Sequence, residues 1–221
     1  MTQRIAVLTL LGLALAAVPA AAQVQRDIYN NGPINGTTDA WTINFGYVVS
    51  DTFTFTDLTG YFVDQFSFGV WEFPGDTMTS VDWSITSGEN SGTVFGSGTA
   101  SVNNGNLTDK FISTNQFGYN IDEITASHLS ITGLTNGATY WLNLQNAVVP
   151  SGNPVFWDEN SGAGCRGAGC PSMASESTVG TIASEAFTID EYVETTPEPG
   201  SIVLFGSGIL GLTGVLRRKR F

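Results

Sequence analysis

The chain has 221 residues and a formal net charge of −12, with 42% hydrophobic and 13% charged residues. It is long enough to bury a sizeable core, and its acidity makes nucleic acid and anionic lipid poor partners. One histidine and two cysteines cannot furnish an ordinary four-ligand zinc centre.

Met1–Ala22 carries one base, Arg4, then an apolar run from Ile5 to Val18, then Pro19-Ala20-Ala21-Ala22. Small residues at Ala20 and Ala22 predict a signal peptide (residues 1–22) cut before Gln23 by signal peptidase. Excluding both termini leaves Gln23–Thr196, one domain by length. This part keeps nineteen acids against three bases, Arg26, Lys110 and Arg166, a net charge of −16. Divalent cations and neutral or cation-bridged polysaccharides suit such a surface better than polyanions do. The same charge also serves to keep an exported domain soluble.

Through this stretch the hydrophobic period is two. Trp41, Ile43, Phe45 and Tyr47 alternate with polar or small residues, as do Thr52–Thr56, Phe66–Val70 and Val81–Thr86. Further short strands are expected at Thr93–Phe95, Leu129–Thr132, Tyr140–Leu144, Val155–Trp157 and Phe187–Ile189. Turn signals at Thr59-Gly60, Phe73–Asp76, Ser87–Asn90, Asn103–Asn106 and Thr135–Gly137 separate them. No window offers a capped amphipathic helix. The expectation is all-β: a single jelly-roll-like β-sandwich over residues 23–189.

Candidate chemistry is sparse. Asp122-Glu123 and Asp158-Glu159 supply carboxyls, but a glycosidase needs two of them roughly 5–9 Å apart across a groove. Adjacent strand residues face opposite ways. His128, on an expected strand, has no G-x-S-x-G nucleophile elbow to serve. No catalytic residue is assigned, and the protein is not expected to be an enzyme. Oxygen donors at Asp76, Glu89, Asn90, Asp158, Glu159 and Asn160 lie in expected loops and suit a structural calcium ion. No ligand set follows from their spacing, and no other cofactor is expected. Trp41, Trp83 and Trp141 fall in core-like patterns. Trp157-Asp158-Glu159-Asn160 opens a loop, where an indole edged by polar groups would stack on a sugar or pack in the core.

Pro150–Ser184 is dense in Gly, Ser and Ala and holds Cys165 and Cys170. In an exported chain these are a disulfide candidate closing a short loop, with free thiols as the alternative. Gly162–Gly167 matches G-x-G-x-x-G, yet the strand–helix context of a dinucleotide site is missing. Acids and prolines from Asp190 onward predict a linker over residues 190–196.

The last segment is the most specific. Pro197-Glu198-Pro199-Gly200-Ser201 precedes fifteen uncharged residues, Ile202–Leu216, and then Arg217-Arg218-Lys219-Arg220. As a transmembrane helix that run would rise roughly 22 Å at ~1.5 Å per residue, short of a hydrocarbon core of about 30 Å. The basic cluster holds the C-terminus on the cytoplasmic side. Gly208, Gly211 and Gly214 give a smooth face for another helix.

The order of these parts over residues 197–221 resembles the PEP-CTERM sorting signal. Tyr140–Ala147, Phe156–Gly162 and Ser184–Ile189 also resemble blocks of PEP-CTERM ectodomains. The resemblance implies processing near Pro197, Glu198 and Pro199 by an exosortase, a polytopic membrane cysteine transpeptidase. It further implies a transient inner-membrane intermediate, then the cell surface or extracellular matrix. The expected role is an exported, non-catalytic surface or matrix protein associated with extracellular polysaccharide. The alternative is a secreted carbohydrate-active enzyme with a sorting tail.

Overall fold

The computed structural model describes residues 22–59, 62–160 and 172–195. Contacts divide the chain into Gln25–Val193 and a second unit of Met1–Val24 with Glu194–Phe221. The first unit carries the fold. Its strands are β1 (Ala22–Asn30), β2 (Ala40–Thr42), β3 (Val48–Thr54), β4 (Val63–Glu72), β5 (Ser80–Gly88), β6 (Ser91–Ser101) and β7 (Leu107–Thr114). They continue as β8 (Asn120–Ala126), β9 (Thr139–Val148), β10 (Phe156–Asp158), β11 (Ala174–Glu176), β12 (Gly180–Ile182) and β13 (Phe187–Thr195). A single 3-10 turn, Val102–Asn104, is closed by Gly105 at φ 69°.

Two antiparallel sheets form a β-sandwich, as the period-two pattern predicts. One runs β12-β11-β3-β9-β5-β6. In the other, β4 is central, with β8 and then β7 on one side. Its opposite edge is shared by β13, along Val63–Phe68, and β10, at Val70–Trp71. Strand β1 lies beyond β13, and β2 beyond β10. The nested pairs β3·β9 and β4·β8 fall in opposite sheets, which is the wrapped arrangement of a jelly roll.

Alternation along β4 sorts its side chains. Phe66, Phe68 and Val70 enter the core beside Phe53, Trp83, Trp157 and Phe187. Trp157 meets Phe68 at 6.0 Å and Phe187 at 5.7 Å between ring centroids, both edge-on. Each such buried aromatic contributes about 2–3 kcal/mol of transfer free energy. The outer face of β4 is also covered, because residues 31–39 cross it as a strap. A Cβ on Gly69 would stand 2.6 Å from Ile34 Cγ2, so only glycine lets the strap lie this close.

Three expectations need correction. Residues 190–195 are not a linker: β13 runs to Thr195, with Asp190 and Glu191 buried. Asp190 accepts from Gln25 and Gln65, and Glu191 takes the Arg26 guanidinium, so these acids fasten β1 and β4 to β13. Trp41–Tyr47 is not one strand, because β2 ends at Thr42 and Phe45 and Gly46 turn through φ 56° and 88°. Leu129–Thr132 is largely a loop, with His128 and Ser130 at φ 59° and 55° and only Ile131 bridged to Val63. Here local turn geometry overrides alternation. Strands β1, β7, β8, β11 and β12 are not among the expected ones, their mixed polar sequences masking the period.

Candidate functional site

The four residues Trp157-Asp158-Glu159-Asn160 are brought into one region, but not as an exposed platform. Trp157 points into the core, is wholly buried, and donates from Nε1 to the Ala186 carbonyl at 3.1 Å. The expected stacking role for Trp157 is therefore corrected: its place in β10 sends it inward, and its neighbour Phe156 outward. Asp158 shares the outer side with Phe156. Its Oδ1 accepts from Trp71 Nε1 at 2.7 Å, and its Oδ2 accepts from the Asn35 and Gly36 amides at 2.9 and 3.1 Å. Burial pushes the Asp158 carboxyl up, and these three donors oppose the push. Asp158 is thus a peg that ties the strap to the sheet.

Glu159 and Asn160 continue the same fastening through backbone. The Glu159 amide donates to Asp39 O at 2.9 Å and that of Asn160 to Ser184 O at 2.7 Å. Below them Asp51, on the inner face of β3, accepts from Glu185 N at 2.6 Å, Ser172 Oγ at 2.5 Å, and Asn31 Nδ2 and Ser184 Oγ at 3.2 Å each. Burial raises the Asp51 carboxyl to about 7 despite these donors. Glu185 is wholly buried, and neither carboxyl oxygen has a hydrogen-bond partner. Burial first, then the nearby Asp51, Glu159, Asp158 and Asp39, hold it well above the usual carboxyl range.

An aromatic cluster lies on the outer face instead, with Phe117 as its exposed member. Trp71 stacks on Phe117 at 5.6 Å and 23°, and Tyr119 touches Trp71, Phe73 and Phe156 at 5.7, 5.1 and 5.8 Å. The β7–β8 turn sets this ledge: Asn115 Oδ1 accepts from the Phe117 and Tyr119 amides, both at 3.0 Å. Phe117 remains 56% exposed, an open flat ring backed by an indole that Asp158 orients. Sequence reading missed Phe117 and Tyr119. Their one signal was a hairpin turn, Asn115–Tyr119, carrying two aromatics.

The remaining candidates disperse. Asp122 faces inward while Glu123 faces out and pairs with Lys110 at 2.9 Å, so the two do not form an acid–base pair. Asp76 accepts from Asn153 Nδ2, Glu89 from Ser175 Oγ, and the Asn90 amide donates to Asn143. The six oxygen donors expected for calcium thus lie in separate segments. Among the described residues, no group of three His, Cys, Asp or Glu side chains already stands close enough to hold a metal ion. His128 Nδ1 meets only Ser127 Oγ, at 3.3 Å, among the described hydrogen bonds.

Several named positions lie outside the described residues: Ala20, the Gly162–Gly167 pattern, Cys165, Cys170, Pro197–Pro199, the expected membrane helix 202–216 and Arg217–Arg220. Ala22 and Gln23 begin β1. Among the described residues no helix is long and apolar enough to cross a membrane.

Fold and sorting tail together define an exported all-β protein. A family model described as the PEP-CTERM protein-sorting motif matches residues 195–220. That motif implies export, exosortase as the processing partner and a membrane-anchored intermediate before processing. No curated protein matches the chain.

Proposed function

We propose that the processed protein is a non-catalytic component of the cell surface or extracellular matrix that binds extracellular polysaccharide through the Trp71–Phe117–Tyr119 ledge. The observation that carries this reading is the half-exposed Phe117 ring, held on the β7–β8 turn and stacked on the buried, sheet-borne Trp71. A sugar ring presents a flat apolar C–H face, which packs on aromatic faces, while rim polar groups take its hydroxyls. A sheet-borne stack loses little conformational entropy on binding. The charge of −16 disfavours a polyanion unless cations bridge it, so neutral or cation-bridged glycans fit best.

The test is a binding and hydrolysis screen of the purified protein against the source organism's own extracellular polysaccharide, with and without calcium. Saturable binding without turnover, weakened by Phe117→Ala and Tyr119→Ala, supports the reading. Release of reducing ends, abolished by a single carboxyl substitution, replaces it with the carbohydrate-active enzyme.

A further inference from the structure

The inner faces of the same strands hold a different kind of site. Glu72 follows Phe66, Phe68 and Val70 on the core face of β4. Asp122 stands directly across from Val70, and Asp109 across from Ile124, in the same ladder. All three therefore face the space between the sheets, at the end covered by the β4–β5 connection. That connection contributes Met78, whose amide donates to Asp109 Oδ2 at 2.7 Å, and Asp76.

What distinguishes Glu72 and Asp122 within this group is the lack of donors. Glu72 is fully buried, and among the described residues neither of its carboxylate oxygens has a hydrogen-bond partner. Asp122 Oδ2 is likewise buried and unpartnered. Among the described ion pairs, none reaches Glu72, Asp109 or Asp122. Burial raises Glu72 to about 8, with Asp109, Asp122 and Asp76 adding to the push, and raises Asp122 to about 6, with Asp109 adding. Buried carboxylates of one sign need protons or a counter-cation.

We propose that Glu72, Asp109 and Asp122 form a site for one divalent cation of calcium type, enclosed between the sheets beneath the β4–β5 connection. All the ligands are hard oxygens, the chemistry calcium takes, and calcium tolerates irregular coordination where magnesium demands an octahedron. The side chains are not at ligating distance as they stand. Yet no donor anchors Glu72, so its rotation toward the two aspartates breaks no hydrogen bond. The ion would remove the repulsion that holds them apart.

Isothermal titration of the chelator-treated protein with calcium chloride, paralleled by thermal melting, tests this. One saturable site per chain and a raised melting temperature are expected. Glu72→Gln and Asp122→Asn each weaken binding by at least about tenfold, since site charge sets calcium affinity. Glu123→Gln, which faces the opposite side, leaves it unchanged. No saturable binding to the wild type overturns the proposal. So does undiminished binding by both inner variants while both retain the wild-type fold by circular dichroism. Should either variant misfold, the other decides, and competition by magnesium at equal strength would also overturn the calcium assignment. The result is independent of polysaccharide binding, which is scored at Phe117.

Discussion

Two groups of buried acids occupy this sandwich, and they are built oppositely. At Asp51 and Asp158 themselves both carboxylate oxygens meet amide, hydroxyl or indole donors, and Glu185 beside them is the exception. Around Glu72 and Asp122 three oxygens meet none. Burial alone therefore does not say what an acid is for. With neutral donors it is an acceptor that fastens segments; without them it calls for a proton or a cation.

The largest expected effect falls on the donor-rich group. Asp51→Ala strands the Asn31, Ser172 and Ser184 side chains and the Glu185 amide, and should cost about 3 kcal/mol or more. Urea unfolding measures it, and a loss below about 1 kcal/mol would erase the distinction drawn between the two groups. At the donor-poor group the sign reverses. Without calcium, Glu72→Gln should stabilise the fold by about 1–2 kcal/mol by removing an uncompensated buried charge. A marked loss of stability there would mean that Glu72 has a partner after all.

The pH dependence sharpens the same contrast. Burial raises Glu72, Asp51 and Asp122 to about 8, 7 and 6, well above the ordinary carboxyl values of 4.5 and 3.8. Raised carboxyls bind protons more tightly in the folded state. Their contribution is complete below the unfolded values and is lost progressively as pH rises from about 4 to about 8, where the last folded group gives up its proton. In chelator the melting temperature should fall across that window. Calcium should flatten the fall, and its affinity should rise from pH 6 to pH 9 as Glu72 gives up its proton. A melting curve that calcium leaves unaltered across the window contradicts both statements.

The smallest structural effect belongs to the ledge. Phe117→Ala should change stability by no more than about 0.5 kcal/mol, since the ring is mostly exposed. It should nonetheless weaken glycan binding about tenfold, as loss of an aromatic anchor does. Retained affinity in a glycan pull-down would remove the ledge from the function.

Legibility in the sequence varied with the range of the interactions involved. Phe66–Val70 and Tyr140–Leu144 were readable as strands because their alternation is local. Trp157 fell in the right strand with its role open between core and sugar platform, since alternation tells which residues share a face but not which face is inward. Asp190 and Glu191 looked like spacer because their partners, Gln25, Gln65 and Arg26, are more than a hundred residues away in the chain. Gly69 carried no signal at all until the strap crossed it.

The sequence by itself determined the sorting tail, the all-β class and the acidity of the exported part. A processing motif is read as a linear string, strand period is local, and charge is a sum. Tertiary structure alone decided which acids gain donors and which aromatics stay outside. Asp51 meets Ser172 and Ser184, 121 and 133 residues on, only because strands from both sheets and the strap converge there. Glu72 and Asp122 share the inner face, diagonal to one another, because β4 and β8 pair in a register that sets Asp122 across from Val70.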